Sequence, residues 1–171
     1  MVGPDLRAIQ APIKERYRSD PEAAVVTLRA QGSLGEGVTC RVETGRAMVE
    51  AGLHPATGGT GLSVCSGDML LEALAACAGV TLSAVATALE LDVRSGTVTA
   101  EGDLDFRGTL GVTKDAPVGF RAIRLHFDLD TDLDDADLAT LRRLTERYCV
   151  VYQTLSAAPK IETSYSTASS S

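Results

Sequence analysis

The side chains best suited to chemistry in this 171-residue chain are its four cysteines, Cys40, Cys65, Cys77 and Cys149. A thiolate is a nucleophile and a soft metal ligand, so the setting of each cysteine decides which chemistry is open to it. No two of them have C-x-x-C spacing, and His54 and His126 lie far from any cysteine in sequence. A zinc site would therefore need distant cysteines to converge, and none is expected. Cys77 sits between Ala76 and Ala78 with Gly79 next, in the middle of a long apolar run. Small neighbours let another backbone approach the sulfur, which makes Cys77 the first candidate. Cys149 opens a second apolar step, Cys149-Val-Val-Tyr-Gln-Thr-Leu155. Cys40 lies mid-strand, where a small buried hydrophobe is the default.

The element that must position Cys77 is the run Met69–Leu89, which is rich in alanine and leucine and free of proline. That composition predicts a helix, roughly 30 Å long at 1.5 Å per residue. Only Glu72 interrupts it, so it is apolar nearly all round and is expected to be a core helix buried on most sides. A membrane span is the rival reading of such a run. Glu72, the small residues and the lack of flanking Lys/Arg clusters or aromatic belts argue against it. Ser66 or Asp68 can cap the helix start, and an acid there suits the helix dipole.

The rest of the chain supplies strands and one amphipathic helix. Ala24–Ala30, Val38–Val42 and Arg46–Glu50 read as strands separated by turns at Gly32, Gly35, Gly37 and Gly45. After a glycine-rich loop and the central helix come two more strands, Thr97–Phe106 and Phe120–Leu129. On the second of these, Ile123, Leu125, Phe127 and Leu129 share one face, which puts His126 on the other. Leu138, Leu141, Leu144 and Tyr148 recur at helical spacing, and Lys160–Thr167 alternates as a last strand. The order β-β-β-α-β-β-α-β is that of a single α+β domain over residues 1–171, with 1–22 as an N-terminal arm and 168–171 as a frayed tail.

Composition bounds the partners. A net charge of −7 without a basic stripe excludes a nucleic-acid partner. The opening Met1-Val-Gly-Pro-Asp lacks a secretory h-region, so the expected location is cytoplasmic, off the membrane, and four cysteines there do not make a disulfide scaffold.

Two stretches together resemble a known family. Asp68-Met-Leu-Leu-Glu-Ala-Leu-Ala-Ala-Cys77, followed late in the chain by Glu146-Arg-Tyr-Cys-Val-Val-Tyr-Gln-Thr-Leu155, is similar to the two cysteine-bearing helices of the OsmC/Ohr family. There the first reads LL-A-LAAC and the second A-E-K-Y-C-P-V…T-L. The resemblance extends to Arg16-Tyr-Arg-Ser-Asp-Pro21 and to the order of elements, covering residues 14–167. It implies a thiol-dependent hydroperoxide reductase of oxidative-stress defence, built as an intertwined homodimer whose long helices pack centrally. It implies no metal and no bound cofactor. Cys77 would be the peroxidatic cysteine, oxidised to a sulfenic acid. Cys149 would be the resolving one, forming a disulfide that an external dithiol reduces. Organic hydroperoxides would be favoured by a lining of Leu70, Leu74 and alanines.

A buried thiol titrates high unless its charge is stabilised. In the family an arginine from the N-terminal strands does this, held by a glutamate at the start of the helix. Arg46 is the choice here for the arginine, with Arg41 and Arg18 as rivals. Where the family has proline and glutamate this chain has Gly67-Asp68, so Asp68 is the nearest acid. Nine residues at about 100° each put Asp68 opposite Cys77, so it can serve only from before the helix proper. Glu72, about 140° from Cys77, is a poor substitute. Cys65 reads as a loop cysteine. The alternative function is a catalytically silent OsmC-like domain binding a small apolar ligand or partner. What separates the two is whether an arginine reaches Cys77.

Overall fold

A computed structural model of the chain describes residue 19 and residues 32–34, 39–43, 48–111 and 113–166. Strands β1 (Gly32–Leu34), β2 (Thr39–Glu43) and β3 (Met48–Gly52) run antiparallel in that order, and β4 (Val64–Cys65) adds to β3 in parallel. Helix α1 (Ser66–Leu89) leads into β5 (Val93–Leu104), a single turn α2 (Phe106–Thr109) and β6 (Phe120–Thr131). Helices α3 (Asp135–Tyr148) and α4 (Val150–Ser156) follow. The architecture is α+β.

The β5–β6 ladder runs from Val93 opposite Thr131 to Leu104 opposite Phe120. Its alternation turns Ile123, Leu125, Phe127 and Leu129 inward and leaves His126 exposed, as the period-2 pattern predicts. Gly102 admits the ring of Phe120, which would lie 2.5 Å from a Cβ at that position. Helix α1 packs on β5, where Val98 reaches the backbone at Gly79, and it packs also against α3 and α4. The centre of this packing is Leu82, Val85, Ala86 and Leu141, walled by Leu91, Val93, Phe127, Leu129, Leu133 and Leu144. Asp134 caps α3 by accepting from the N–H groups of Ala136 and Asp137. His54 stacks on Phe106 with ring centroids 4.9 Å apart, tying the loop after β3 to the β5–β6 connection.

Several sequence expectations are corrected. Gly32 lies inside a strand rather than at a turn, and β3 runs two residues past Glu50 because its ladder with β2 extends to Gly52. The expected strand at 24–30 lies outside the described residues. Helix α1 begins at Ser66, so neither Ser66 nor Asp68 is its cap. That position belongs to Cys65, which offers no side-chain hydrogen bond. Lys160–Tyr165 is exposed and takes no regular structure, and among the described residues no strand pairs with it.

The largest correction concerns α1 itself. It is long and apolar enough to cross a membrane, yet only Leu74, Ala78, Leu82, Val85 and Ala86 are buried. Those residues form one stripe, and a two-stranded sheet and two helices cover no more than a stripe. Leu70, Val80 and Leu89 stay exposed.

Candidate functional site

Leu141, Thr145 and Cys149 recur every four residues and are the three most deeply buried large side chains, at 1, 2 and 1% exposure. Spacing of four keeps them on one face, and that face lies against α1. On α1 the matching stripe of Leu74 and Ala78, 2 and 0% exposed, brackets Cys77. The two helical stripes therefore bring the two cysteines together across 72 positions of sequence. Both are free thiols, and each shifts the other's titration.

Chain geometry at Cys149 adds donors. Helix α3 stops there because Cys149 takes an extended backbone (φ −73°, ψ 109°). Its N–H still bonds to the carbonyl of Thr145 at 3.0 Å. Helix α4 then starts at Val150, so the first amides of α4 have no carbonyl one turn back within their own helix. The N–H groups of Val151 and Val150 act on the Cys77 sulfur as donors, together with the Cys149 thiol and the Thr81 hydroxyl. Burial pushes the Cys77 thiol up, but these four donors outweigh it and hold Cys77 below the ordinary thiol range. Cys149 moves the opposite way. Burial raises it first, and the hydrogen bond to Cys77 and the charge on Cys77 raise it further, against the opposing N–H groups of Tyr152 and Val151. Of the pair, Cys77 is the thiol that ionises first and Cys149 the one that keeps its proton longer.

The other expected site residues fare differently. Asp68 lies within the first turn of α1, exposed and about 13 Å of helix rise from Cys77. Its one condition for service, a place before the helix, is not met, and within one chain it does not reach the sulfur. Arg46 and Arg18 lie outside the described residues. Arg41 belongs to β2, its backbone paired with Ser33 and Glu50. Cys65 is no loop cysteine: it ends β4 and precedes α1, about 18 Å of helix rise from Cys77. Cys40 sits on β2 opposite Ala51.

Among the described arginines, Arg94 is engaged by Asp130 and Asp132, Arg124 by Glu101 and Asp103, Arg107 by Asp105 and Arg142 by Glu146. No cation is among the described groups that act on Cys77. The amide donors and Thr81 were missed in the sequence. The signal for the amides was a helix boundary at Cys149, where one amphipathic run passes into another.

Among the described residues no group of three or more His, Cys, Asp or Glu side chains stands together as a metal site. A cleft of about 780 Å³ opens between β6, α1, α3 and α4, lined by Leu74, Phe120, Ile123, Leu141, Tyr152 and Leu155 among others. Arg121 and Arg142 also line it, but neither cysteine does. Leu74 lines this cleft, while Leu70 is 38% exposed.

A family model described as OsmC-like protein matches residues 59–164, more than half of the chain. No curated protein matches the sequence. Solved structures do share the fold. An OsmC-like protein from Mycoplasma pneumoniae superposes with a TM-score of 0.65 at 16% identity, covering 78% of this chain and 89% of that one. An organic hydroperoxide resistance protein OsmC from Legionella pneumophila gives 0.61 at 18%, covering 78% and 92%. An organic hydroperoxide resistance protein from Elizabethkingia anophelis gives 0.63 at 15%, covering 79% and 91%. With the two-cysteine arrangement and this match in hand, the chain belongs to the OsmC-like proteins, a family associated with hydroperoxide-related function.

Proposed function

We propose that the protein reduces organic hydroperoxides with Cys77 as the peroxidatic thiolate and Cys149 as the resolving thiol. The observation that carries this reading is the pair of free cysteines brought together by α1 and the α3–α4 junction and acting on each other, Cys77 held below and Cys149 above the ordinary thiol range. The Cys77 thiolate attacks the terminal oxygen of the hydroperoxide. A sulfur–oxygen bond forms, the O–O bond breaks, and the alkoxide leaves to take up a proton as the alcohol. Cys77 is then a neutral sulfenic acid. The charge that helped keep Cys149 protonated is gone, which eases loss of the Cys149 proton at the moment it is needed. The Cys149 thiolate attacks the sulfenic sulfur, water departs, and a disulfide joins the two helices. An external dithiol returns both thiols and is itself oxidised to a disulfide.

A homodimer belongs to the same proposal. Val80, one turn from Cys77, is 72% exposed, and Tyr148 and Val150, flanking Cys149, are 59% and 69% exposed. These apolar residues surround the thiols and continue the open face of α1. A second copy of the chain laid on that face would cover it and close the site against water.

The alternative, a silent domain that binds an apolar ligand, finds its support in the cleft and in the buried, unpartnered hydroxyl of Thr145 on its wall. Dithiol-coupled turnover of cumene hydroperoxide separates the readings. Turnover that disappears in Cys77→Ser supports the peroxidase. No turnover with fully reduced protein, together with saturable binding of an apolar probe, would establish the alternative.

A further inference from the structure

Three hydroxyls of α1 donate to the carbonyl one turn back: Thr81 to Cys77 at 2.7 Å, Ser83 to Gly79 at 3.0 Å and Thr87 to Ser83 at 2.8 Å. Such back-bonds are ordinary for Ser and Thr inside helices. The one at Thr81 differs in its surroundings. It is half-buried, its hydroxyl donates to the Cys77 carbonyl, and the four-residue spacing sets it beside the Cys77 side chain on the same face of α1, where it also acts on the sulfur. A hydroxyl has one proton to give, so it donates to one of them at a time.

The better acceptor depends on the charge of the sulfur. A neutral thiol is a weak acceptor, and the carbonyl wins. A thiolate carries a full charge, and charge-assisted bonds are roughly twice as strong as neutral ones. The carbonyl loses little when the hydroxyl leaves, because inside α1 the backbone N–H of Thr81 itself, four residues on, still donates to it. Only the O–H bond has to turn.

We infer that Thr81 is a positioning residue whose hydroxyl proton swings from the Cys77 carbonyl to the Cys77 sulfur when that thiol ionises. It thereby holds the thiolate in its attacking rotamer from the side of α1, while the α4 amides hold it from the other. When the sulfur is spent as a sulfenic acid or disulfide, the proton returns to the carbonyl and the helix is unchanged. The inference rests on the proposed role of Cys77 as the nucleophile, but its test does not require peroxide.

The test is the rate of Cys77 alkylation by iodoacetamide as a function of pH, resolved by peptide mass spectrometry, in the full chain and in Thr81→Val and Thr81→Ser. Val keeps the shape of Thr and removes the donor. The expected result is alkylation about fivefold slower than the parent at neutral pH in Thr81→Val. The two profiles should converge at high pH, and Thr81→Ser should follow the parent. A Thr81→Val profile that superimposes on the parent throughout would overturn the inference, whatever the variant does to thermal stability. Should Thr81→Val fail to fold, Thr81→Ala, a better helix former, reads the same quantity. Absence of hydroperoxide turnover in the parent would sink the proposed function but leave this profile interpretable.

Discussion

Replacing Val150 with proline removes one amide from the Cys77 sulfur while leaving the helix it belongs to intact. Val150 is the first residue of α4, where the missing N–H of proline has no intrahelical carbonyl to lose. Cys149 before it is already extended at ψ 109°, the conformation a following proline requires. The family pattern, moreover, carries proline at this place. The fold should therefore accept Val150→Pro and gain about 0.4–1 kcal/mol from a stiffer unfolded chain. The site should suffer. A hydrogen bond to a charged group contributes about 1.5–3 kcal/mol, and Val150 ranks behind Val151 and Cys149 among the donors. Taking the low end, about 1.4 kcal/mol corresponds to tenfold, so the thiolate fraction of Cys77 near neutral pH falls about tenfold. Peptide-resolved alkylation across pH measures this directly. Val150→Ala, which keeps the N–H, should follow the parent and absorb any effect of losing an exposed side chain. A stable Val150→Pro with an unshifted Cys77 profile would refute the amide argument.

Other outcomes follow from the same packing and charges. Leu141→Ala empties a site that is 1% exposed against Leu82, Val85 and Ala86 and should cost about 2–5 kcal/mol, read from the denaturant midpoint. The rate of hydroperoxide reduction should rise with pH and level off below the pH at which an ordinary thiol would, because the reactive thiolate is lost as pH falls through a depressed pKa. Stopped-flow kinetics over that range checks it, and a midpoint at or above that of an ordinary thiol would speak against the donors. Val80→Glu, at a 72% exposed position, should change the stability of a single chain by under about 0.5 kcal/mol yet halve the mass seen in sedimentation if α1 docks a second copy.

Much of this arrangement was legible in the chain because it follows from short-range periodicity. The alanine-rich run through Cys77 specifies a helix, and the alternation of Phe120–Leu129 and the spacing of Leu138, Leu141 and Leu144 each specify an element and its inward face, although Tyr148 on that same spacing is 59% exposed. The pairing of Cys77 with Cys149 came from resemblance, since no local pattern says which helix meets which. What stayed hidden depends on contacts. Asp68 was one turn too late because strand β4 ends at Cys65 and lets the helix begin early. Lys160–Tyr165 alternates like a strand, but alternation needs a neighbouring edge, and among the described residues none pairs with it. The apolar circumference of α1 was read as burial within one chain, and only a stripe is buried there. The amides that face Cys77 carry no sequence signature of their own, since every residue but proline has one.

The central claim is that Cys77 and Cys149 close a redox cycle with a hydroperoxide. Thiol counting with intact mass, on fully reduced protein before and after one equivalent of cumene hydroperoxide, tests it most directly. The account predicts loss of two of the four thiols and two hydrogens, no loss in Cys77→Ser, and a trapped sulfenic acid on Cys77 in Cys149→Ser. Survival of all four thiols would contradict it.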